Sequence, residues 1–294
     1  MKKALILINA YMQLQSQFSQ AERIKAELEK LGVKTDILRN DGFFARMEEG
    51  EICVCLPEKY DFCVYLDKDK YTLQMLEKSG VKLFNSYQAI EDCDDKMQTY
   101  IALSGKGVPM VKTLSGLLCY SPNESIKEET LDKIESALSY PVIVKECFGS
   151  LGKGVYMAKD RAELKALAEQ VKCRPHLFQK TVQTSVGKDI RVIVIGGKYL
   201  CAMLRFSSVD FRSNVELGGK ASAYQPSEAV IALCEKTAQI LGLDYCGIDV
   251  LFGEDGPLVC EVNSNAFFGG MEQCTGINVA KAYAEYIYNE VYGE

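Results

Sequence analysis

One histidine serves 294 residues, and it stands in KCRPHLF as His176. Acyl transfer by a Ser-His-Asp or Cys-His arrangement would have to pass through it. A lone histidine more often packs than reacts, so those mechanisms are set aside. No stretch approaches the roughly 18 to 20 apolar residues that span a bilayer. The opening MKKALILINAYMQLQ has an apolar run of about seven residues and no A-x-A cleavage pattern, so it reads as a first strand rather than a signal peptide. No G-x-G-x-x-G follows that strand, which disfavours a nicotinamide dehydrogenase. A surplus of basic residues is also missing: the net charge is −6, which argues against a general nucleic-acid binder. The twelve cysteines are scattered, many inside apolar runs such as FCVYL and YLCAML. Their one close pair, Cys53 and Cys55, lacks zinc-ligand spacing. They read as small buried hydrophobes in a reducing cytoplasm. Repeats, low-complexity tracts and disordered tails are absent.

What is present is ordinary globular material, 48% hydrophobic and 25% charged, enough for two or three packed domains. Over the first hundred residues KALILINA, KTDILRN, YDFCVYLD and VKLFNS read as strands. The amphipathic segments SQAERIKAELEKLG and YTLQMLEKSG read as helices ended by Gly32 and Gly80. That alternation predicts an α/β start, a small Rossmann-like layer with a parallel sheet. The expected division is residues 1–90, 91–182 and 183–294. Around the first boundary come a turn, a short helix, a second helix at about 95–105 and a Gly/Pro turn into a strand; two strands around a glycine-rich turn, a helix at 160–172 and the strand HLFQKTV complete the middle part. The last part holds a hairpin through Gly196 and Gly197, a polar glycine-rich stretch, a helix at 227–241, a second hairpin through GEDG and a helix at 276–291.

That second hairpin, GIDVLFGEDGPLVCEVN, carries the first chemical signal. Folding it about a three-residue loop of Glu254, Asp255 and Gly256 sets Asp249 opposite Glu261. Two facing carboxylates amid apolar neighbours repel, so a positive group should lie between them. Asn263 shares the face of Glu261 and adds a third oxygen ligand. Oxygen donors in this number suit Mg²⁺ or Mn²⁺ completed by phosphate and water; a solvent-facing acidic edge is the plainer alternative.

A second signal is VIVKECFGSLGKGVYM. Lys145 ends an apolar strand, where an ammonium is costly unless it meets an anion. Gly149, Gly152 and Gly154, with Ser150 among them, free the backbone to present N–H groups to phosphate. G-x-x-x-x-G-K-[ST] is not met, since Lys153 is followed by Gly154; the pattern is that of a flap over phosphates. Arg191, Arg205 and Arg212 form a third, basic group, with Lys96 upstream. Arg205 and Arg212 are placed to project towards the carboxylates and neutralise a phosphoryl group and an anionic substrate.

Taken together, Lys145 before the flap, DIRV, DFRSN and the Asp249 to EVN hairpin resemble the ATP-grasp superfamily, and within it the RimK-like amino-acid ligases. The resemblance runs from about residue 84 to about 287. It implies a Rossmann-like domain followed by a two-lobed α+β ATP-grasp domain. The implied enzyme is an ATP- and Mg²⁺-dependent ligase, which phosphorylates a carboxylate and lets an amine attack the acyl phosphate. By position, Lys96, Lys145 and the flap would contact ATP phosphates. Asp249, Glu261 and Asn263 would hold the metal. Arg205 and Arg212 would steady the transferred group, with Ser213 and Asn214 beside the nucleotide and Asp189 near its ribose. Gln179, Lys180, Thr181 and Val182 would border adenine, their backbone reading the base. Two segments depart from the family: FQKT puts Lys180 where an acidic residue is expected, and EVN continues as SNAFFGGME instead of A-S-P-G. Gly269 and Gly270 there are read as allowing close backbone approach to a substrate. Partners are therefore ATP, a small-molecule or peptide carboxylate and an amine, with no nucleic acid and no membrane; a homo-oligomer stays open. The competing readings are a nucleotide-binding regulatory module without turnover and an ATP-grasp enzyme acting on a non-amino-acid substrate.

Overall fold

A computed structural model describes residues 2–13 and 15–293. The chain opens with β1 (Lys3–Ile8), α1 (Gln15–Lys30) and β2 (Lys34–Arg39). A hairpin of β3 (Ala45–Glu48) and β4 (Glu51–Val54) follows, then β5 (Phe62–Leu66), α2 (Lys70–Lys78) and β6 (Leu83–Phe84). The first sheet is parallel, in the order β2-β1-β5-β6. Its central strands are apolar on both faces, as crossover helices require. Ala4, Ile6 and Ile8 pack towards α1, while Leu5 and Leu7 pack towards α2 and the β3–β4 hairpin.

Next come α3 (Tyr87–Asp94) and α4 (Lys96–Leu103). The second sheet is antiparallel, in the order β7-β10-β8-β9. It is built from β7 (Thr113–Ser115), β8 (Val142–Glu146), β9 (Val155–Ala158) and β10 (His176–Lys180), with α5 (Glu128–Leu138) and α6 (Arg161–Val171) packed on it. The third sheet is antiparallel, in the order β13-β12-β11-β14-β15. Its strands are β11 (Lys188–Ile195), β12 (Lys198–Phe206), β13 (Lys220–Ala223), β14 (Tyr245–Gly253) and β15 (Gly256–Asn263). Helix α7 (Glu228–Leu241) covers one face, where Ile190, Val192 and Val194 point. After β15 come α8 (Gly269–Thr275) and α9 (Val279–Tyr292). The last helix returns to the start of the chain: Tyr283, Ala284 and Ile287 share a core with Ile24, Phe62 and Phe84.

Five elements are absent from the sequence reading: β3 and β4 of the hairpin, α5, β13 and α8. Helix α5 had its signal, since Leu131, Ile134 and Leu138 recur at helical spacing and are its buried residues. Helix α8 begins with Gly269 and Gly270, two poor helix formers that hid it. An added Cβ at either glycine meets no protein atom within 4 Å, so packing within the protein does not require glycine at either position. The cysteine reading also needs correction, because Cys55 and Cys173 are exposed; all twelve are free thiols. Among the described residues no helix is long and apolar enough to cross a membrane.

One side chain joins the first sheet to the third. Asn85, just past β6 and 2% exposed, accepts from the N–H groups of Asp244 and Tyr245 and donates to the carbonyls of Tyr245 and Ser264. It thereby ties the start of β14 to the segment leaving β15. Asn85→Ala strands two buried donors and two acceptors and should cost about 3 kcal/mol or more. A thermal midpoint lowered by about 6 to 10 °C is the expected readout.

Candidate active site

The third sheet presents a row of charge on its other face. Side chains alternate along a strand, so Asp189 and Arg191 of β11 point away from α7. Ile193 and Ile195 continue that face into the core shared with the first sheet; the charges occupy its open half. Register places Asp189 beside Arg205, and Arg191 beside Asp249, which in turn faces Glu261. Arg205 donates to both Asp189 oxygens at 2.8 and 2.6 Å, and its Nη2 lies 2.9 Å from Asp249 Oδ2. Arg191 forks onto Asp249 through Nε and Nη2, both at 2.7 Å. Burial would raise the Asp249 carboxyl, yet the Arg191 and Arg205 guanidiniums hold it down to about 2. Burial likewise opposes the charge on Arg205, and Asp249 and Asp189 keep it protonated.

The expected Asp249–Glu261 opposition is present, reached by a different geometry. The loop has two residues, because Gly253 pairs with Gly256, and Gly256 keeps a positive φ of 133°. Every pair up to Val250–Val259 is thus one residue out from the expected register. A bulge at Cys260 then restores it, so that Asp249 meets Glu261 and Gly247 meets Asn263.

Lys96 opens α4. A cation is unfavourable at a helix N-terminus, and this one is buried. Its compensation comes from Gly149, whose carbonyl accepts from Nζ at 2.9 Å, and from Glu261 at 3.6 Å. Lys145 is also buried and donates to Cys260 Sγ at 3.5 Å. The flap between β8 and β9 crosses over Asn214: a Cβ on Gly152 would lie 3.0 Å from Asn214 Oδ1 and 2.8 Å from Leu217. Arg212, held by Asp210, donates to the flap carbonyls of Gly152 and Val155 at 2.9 and 3.3 Å. Lys96 and Arg212 therefore grip the flap backbone; only Arg205 of the two arginines reaches a carboxylate of the row.

The charged row, Lys96, Lys145, Arg212 and the flap glycines Gly149 and Gly152 line one cleft, which also includes Ser150, Gln179, Lys180, Thr181, Val182, Ser213, Asn214 and Asn263. Ile143, Met157 and Leu251 give its inner end apolar walls beside the 179–182 strand end. Gly154 is outside the lining and closes the turn, its carbonyl accepting from Glu146 N. At the strand end two backbone groups are already used: Lys180 N–H donates to Lys112 O, and Val182 O accepts from Ser185 N. The Lys180 side chain is exposed. His176 lies outside the cleft, its ring edge-on to Phe178 and in the space left by Gly116. Residues without a predicted role also line the cleft: Arg191, and at its other end Asn9, Asp67, Lys68, Asp94 and Asn265.

The residues fit a hard divalent cation. Among the described residues no three His, Cys, Asp or Glu side chains converge as a metal site, so the donor set is two carboxylates and one amide, as oxygen-seeking Mg²⁺ accepts. Asn263 Nδ2 is buried without a partner. A half-turn of the amide puts its carbonyl oxygen there, on the face of Glu261.

Replacing Arg205 by Met removes the one charge that Asp189 and Asp249 share in a site only 3% exposed. The expected loss is about 3 to 5 kcal/mol, measured as a lower thermal midpoint. His176 gives a second test. Burial lowers its pKa below the ordinary 6.5, so the unfolded chain takes up a proton that the fold excludes. Native stability should be full above pH 6.5 and fall as pH drops below it, and the single imidazole NMR titration should have its midpoint below 6.5.

Residues 93–287 match the family model of the RimK-like ATP-grasp domain. The chain is 39% identical over 226 residues to human N-acetylaspartylglutamate synthase A, covering 76% of this chain and 56% of that protein. It therefore spans a little over half the length of that relative. It is 34% identical over 218 residues to a probable alpha-L-glutamate ligase of Halorhodospira halophila, covering 73% of this chain and 70% of the other. The D-alanine–D-alanine ligase of Bacillus anthracis, solved with ATP, has the same fold at a TM-score of 0.75 and 17% identity, covering 99% and 97% of the two chains. The match extends over two thirds of the sequence, including the flap and the strands of the third sheet, and the chain belongs to the RimK-like ATP-grasp family.

Proposed function

We propose that the protein is an ATP- and Mg²⁺-dependent ligase that joins a carboxylate to an amine through an acyl phosphate. Its substrates are amino acids or small peptide-like molecules. The observation that carries this reading is the convergence, in one cleft, of the Asp249–Glu261–Asn263 oxygen set with the flap and the cations Lys96, Lys145 and Arg212. Glutamate is the amino acid that the relatives' names share.

In this proposal the base of ATP lies in the apolar end beside residues 179–182, and its ribose near Asp189. Lys145, Lys96 and the flap N–H groups meet the phosphates; Ser213 and Asn214 border the nucleotide. Asp249, Glu261 and Asn263 hold Mg²⁺, which neutralises phosphate charge as it develops. A substrate carboxylate oxygen bonds to the γ-phosphorus as ADP leaves. The amine nitrogen then bonds to the acyl carbon, phosphate leaves and the nitrogen gives up its proton. Arg205 is already fixed by two carboxylates, so it supplies a preorganised positive field. Arg212 can exchange a flap carbonyl for a phosphoryl oxygen. No covalent enzyme nucleophile is required, which suits a chain whose one histidine lies outside the cleft. The lobes 91–182 and 183–294 close on the nucleotide, and residues 1–90 bound the other end. Twelve free thiols suit a cytoplasmic setting.

ADP release over pairs of amino acids and carboxylates tests the reading. Glu261→Gln keeps the size of the side chain but removes one metal charge, and turnover should fall on the order of 100-fold or more. Equal turnover in that variant overturns the metal assignment, and no ADP release by wild-type protein with any pair overturns the ligase reading.

A further inference from the structure

Three neighbouring parallel strands of the first sheet each end in a polar side chain: Asn9 after β1, Asn40 after β2 and Asp67 after β5. From β1 the chain winds to β2 on one side and later to β5 on the other. The crevice at the carboxyl ends of β1 and β5 is therefore a topological switch point, where open parallel sheets take their ligands. Asn9 and Asp67 both line the cleft there.

Asp67 is 5% exposed. Its Oδ1 accepts from Asn9 Nδ2 at 2.9 Å and from Lys68 N at 2.7 Å, and its Oδ2 from Asn40 Nδ2 at 3.1 Å. These donors are neutral, so they orient the carboxylate and leave its charge uncompensated. Five carboxylates line the cleft. Asp94 has Lys68 at 2.5 Å, Asp189 has Arg205, Asp249 has Arg191 and Arg205, and Glu261 has Lys96. Of these five, Asp67 alone has no cation of the described residues within 4 Å. The nearest candidate in sequence, Lys68, is turned to Asp94.

The distance to the chemistry is short. Asn265 Nδ2 donates to Leu66 O at 3.0 Å, next to Asp67. Asn265 follows Asn263 by two residues, at most about 7 Å of extended chain. A group seated on Asp67 is thus close to the metal-ligand end of β15.

We propose that Asp67, oriented by Asn9 and Asn40, is the seat of the ammonium group of an amino-acid substrate. The ligand supplies the counter-charge that the protein does not. This rests on the ligase reading for its meaning but not for its test, which measures binding. Protein loaded with Mg²⁺ and a non-hydrolysable ATP analogue is titrated calorimetrically with L-glutamate, L-aspartate, L-alanine and L-lysine, and with the α-N-acetyl form of each. At least one free amino acid should bind about 10- to 100-fold more tightly than its acetylated partner, the range expected for a charged hydrogen bond. Asp67→Asn should erase that preference and leave affinity for the ATP analogue unchanged. The proposal is overturned if no free form is preferred, or if Asp67→Asn folds and keeps the preference. Should Asp67→Asn fail to fold, the wild-type comparison decides alone. Amino-acid binding that needs Asp67, in a protein that releases no ADP with any substrate, would leave the seat standing and remove the ligase reading.

Discussion

The guanidinium of Arg205 sits between Asp189 and Asp249, and the cleft is organised around that contact. A buried arginine requires carboxylates on more than one side, since a single partner leaves donors unpaired and the desolvation uncompensated. Three strands must therefore be in register, with β12 bringing the cation, β11 one acid and β14 the other. Once Asp249 is fixed in this way, Arg191 lies beside it on β11 and Glu261 opposite it on β15. The bulge at Cys260 follows from the same requirement. Without it the tight turn at Glu254 and Asp255 would set Asp249 opposite Cys260, and Glu261 would point to the apolar face under α7. A kink in the strand is the physical cost of having both a two-residue turn and a facing pair of carboxylates.

The flap is coupled to this row through its carbonyls rather than its amides. Lys96 touches Gly149 O and lies near Glu261, while Arg212 spans Asp210, Gly152 O and Val155 O. Each cation holds the backbone that covers the cleft. An anion that took either cation would have to displace the carbonyl it now holds. Gly149, Gly152 and Gly154 all have positive φ angles, which suit glycine in so tight a turn; at Gly152 a Cβ would also crowd the side chains of Leu217 and Asn214.

Much of this was legible in the sequence because it depends on strand periodicity. Asp249, Glu261 and Asn263 announce themselves as polar residues at alternating positions in apolar strands, and Lys145 as a lysine ending one. Their register was inferred correctly although the turn and the bulge were not, since one residue lost in the loop is regained at Cys260. Arg191 could be noticed but not assigned, because its partner is set by which strand lies beside β11. Asn9 and Asp67 are 58 residues apart in sequence and meet only because β1 and β5 are neighbours in a parallel sheet. No local pattern carries that adjacency. The glycines at the start of α8 hid that helix for a local reason: a glycine pair reads as a turn, and only the surrounding packing makes it a tolerated helix start.

The polar segment after Asn263 joins these two levels. Asn265 bonds Leu66 O and accepts from Gln20, Ser264 O accepts from Asn85, and Ala266 O accepts from the Tyr245 hydroxyl. Its path runs directly over Gly247, where a Cβ would come within 2.5 Å of that of Ala266. The same few residues therefore fix the third sheet against the first and line the cleft between Asn263 and Asp67. A change of side chain here alters the packing of two sheets together with the space in the cleft. Gln20 of α1, Asn85 after β6 and the end of β5 hold this segment in place, so a substitution in it has to keep polar partners for all three.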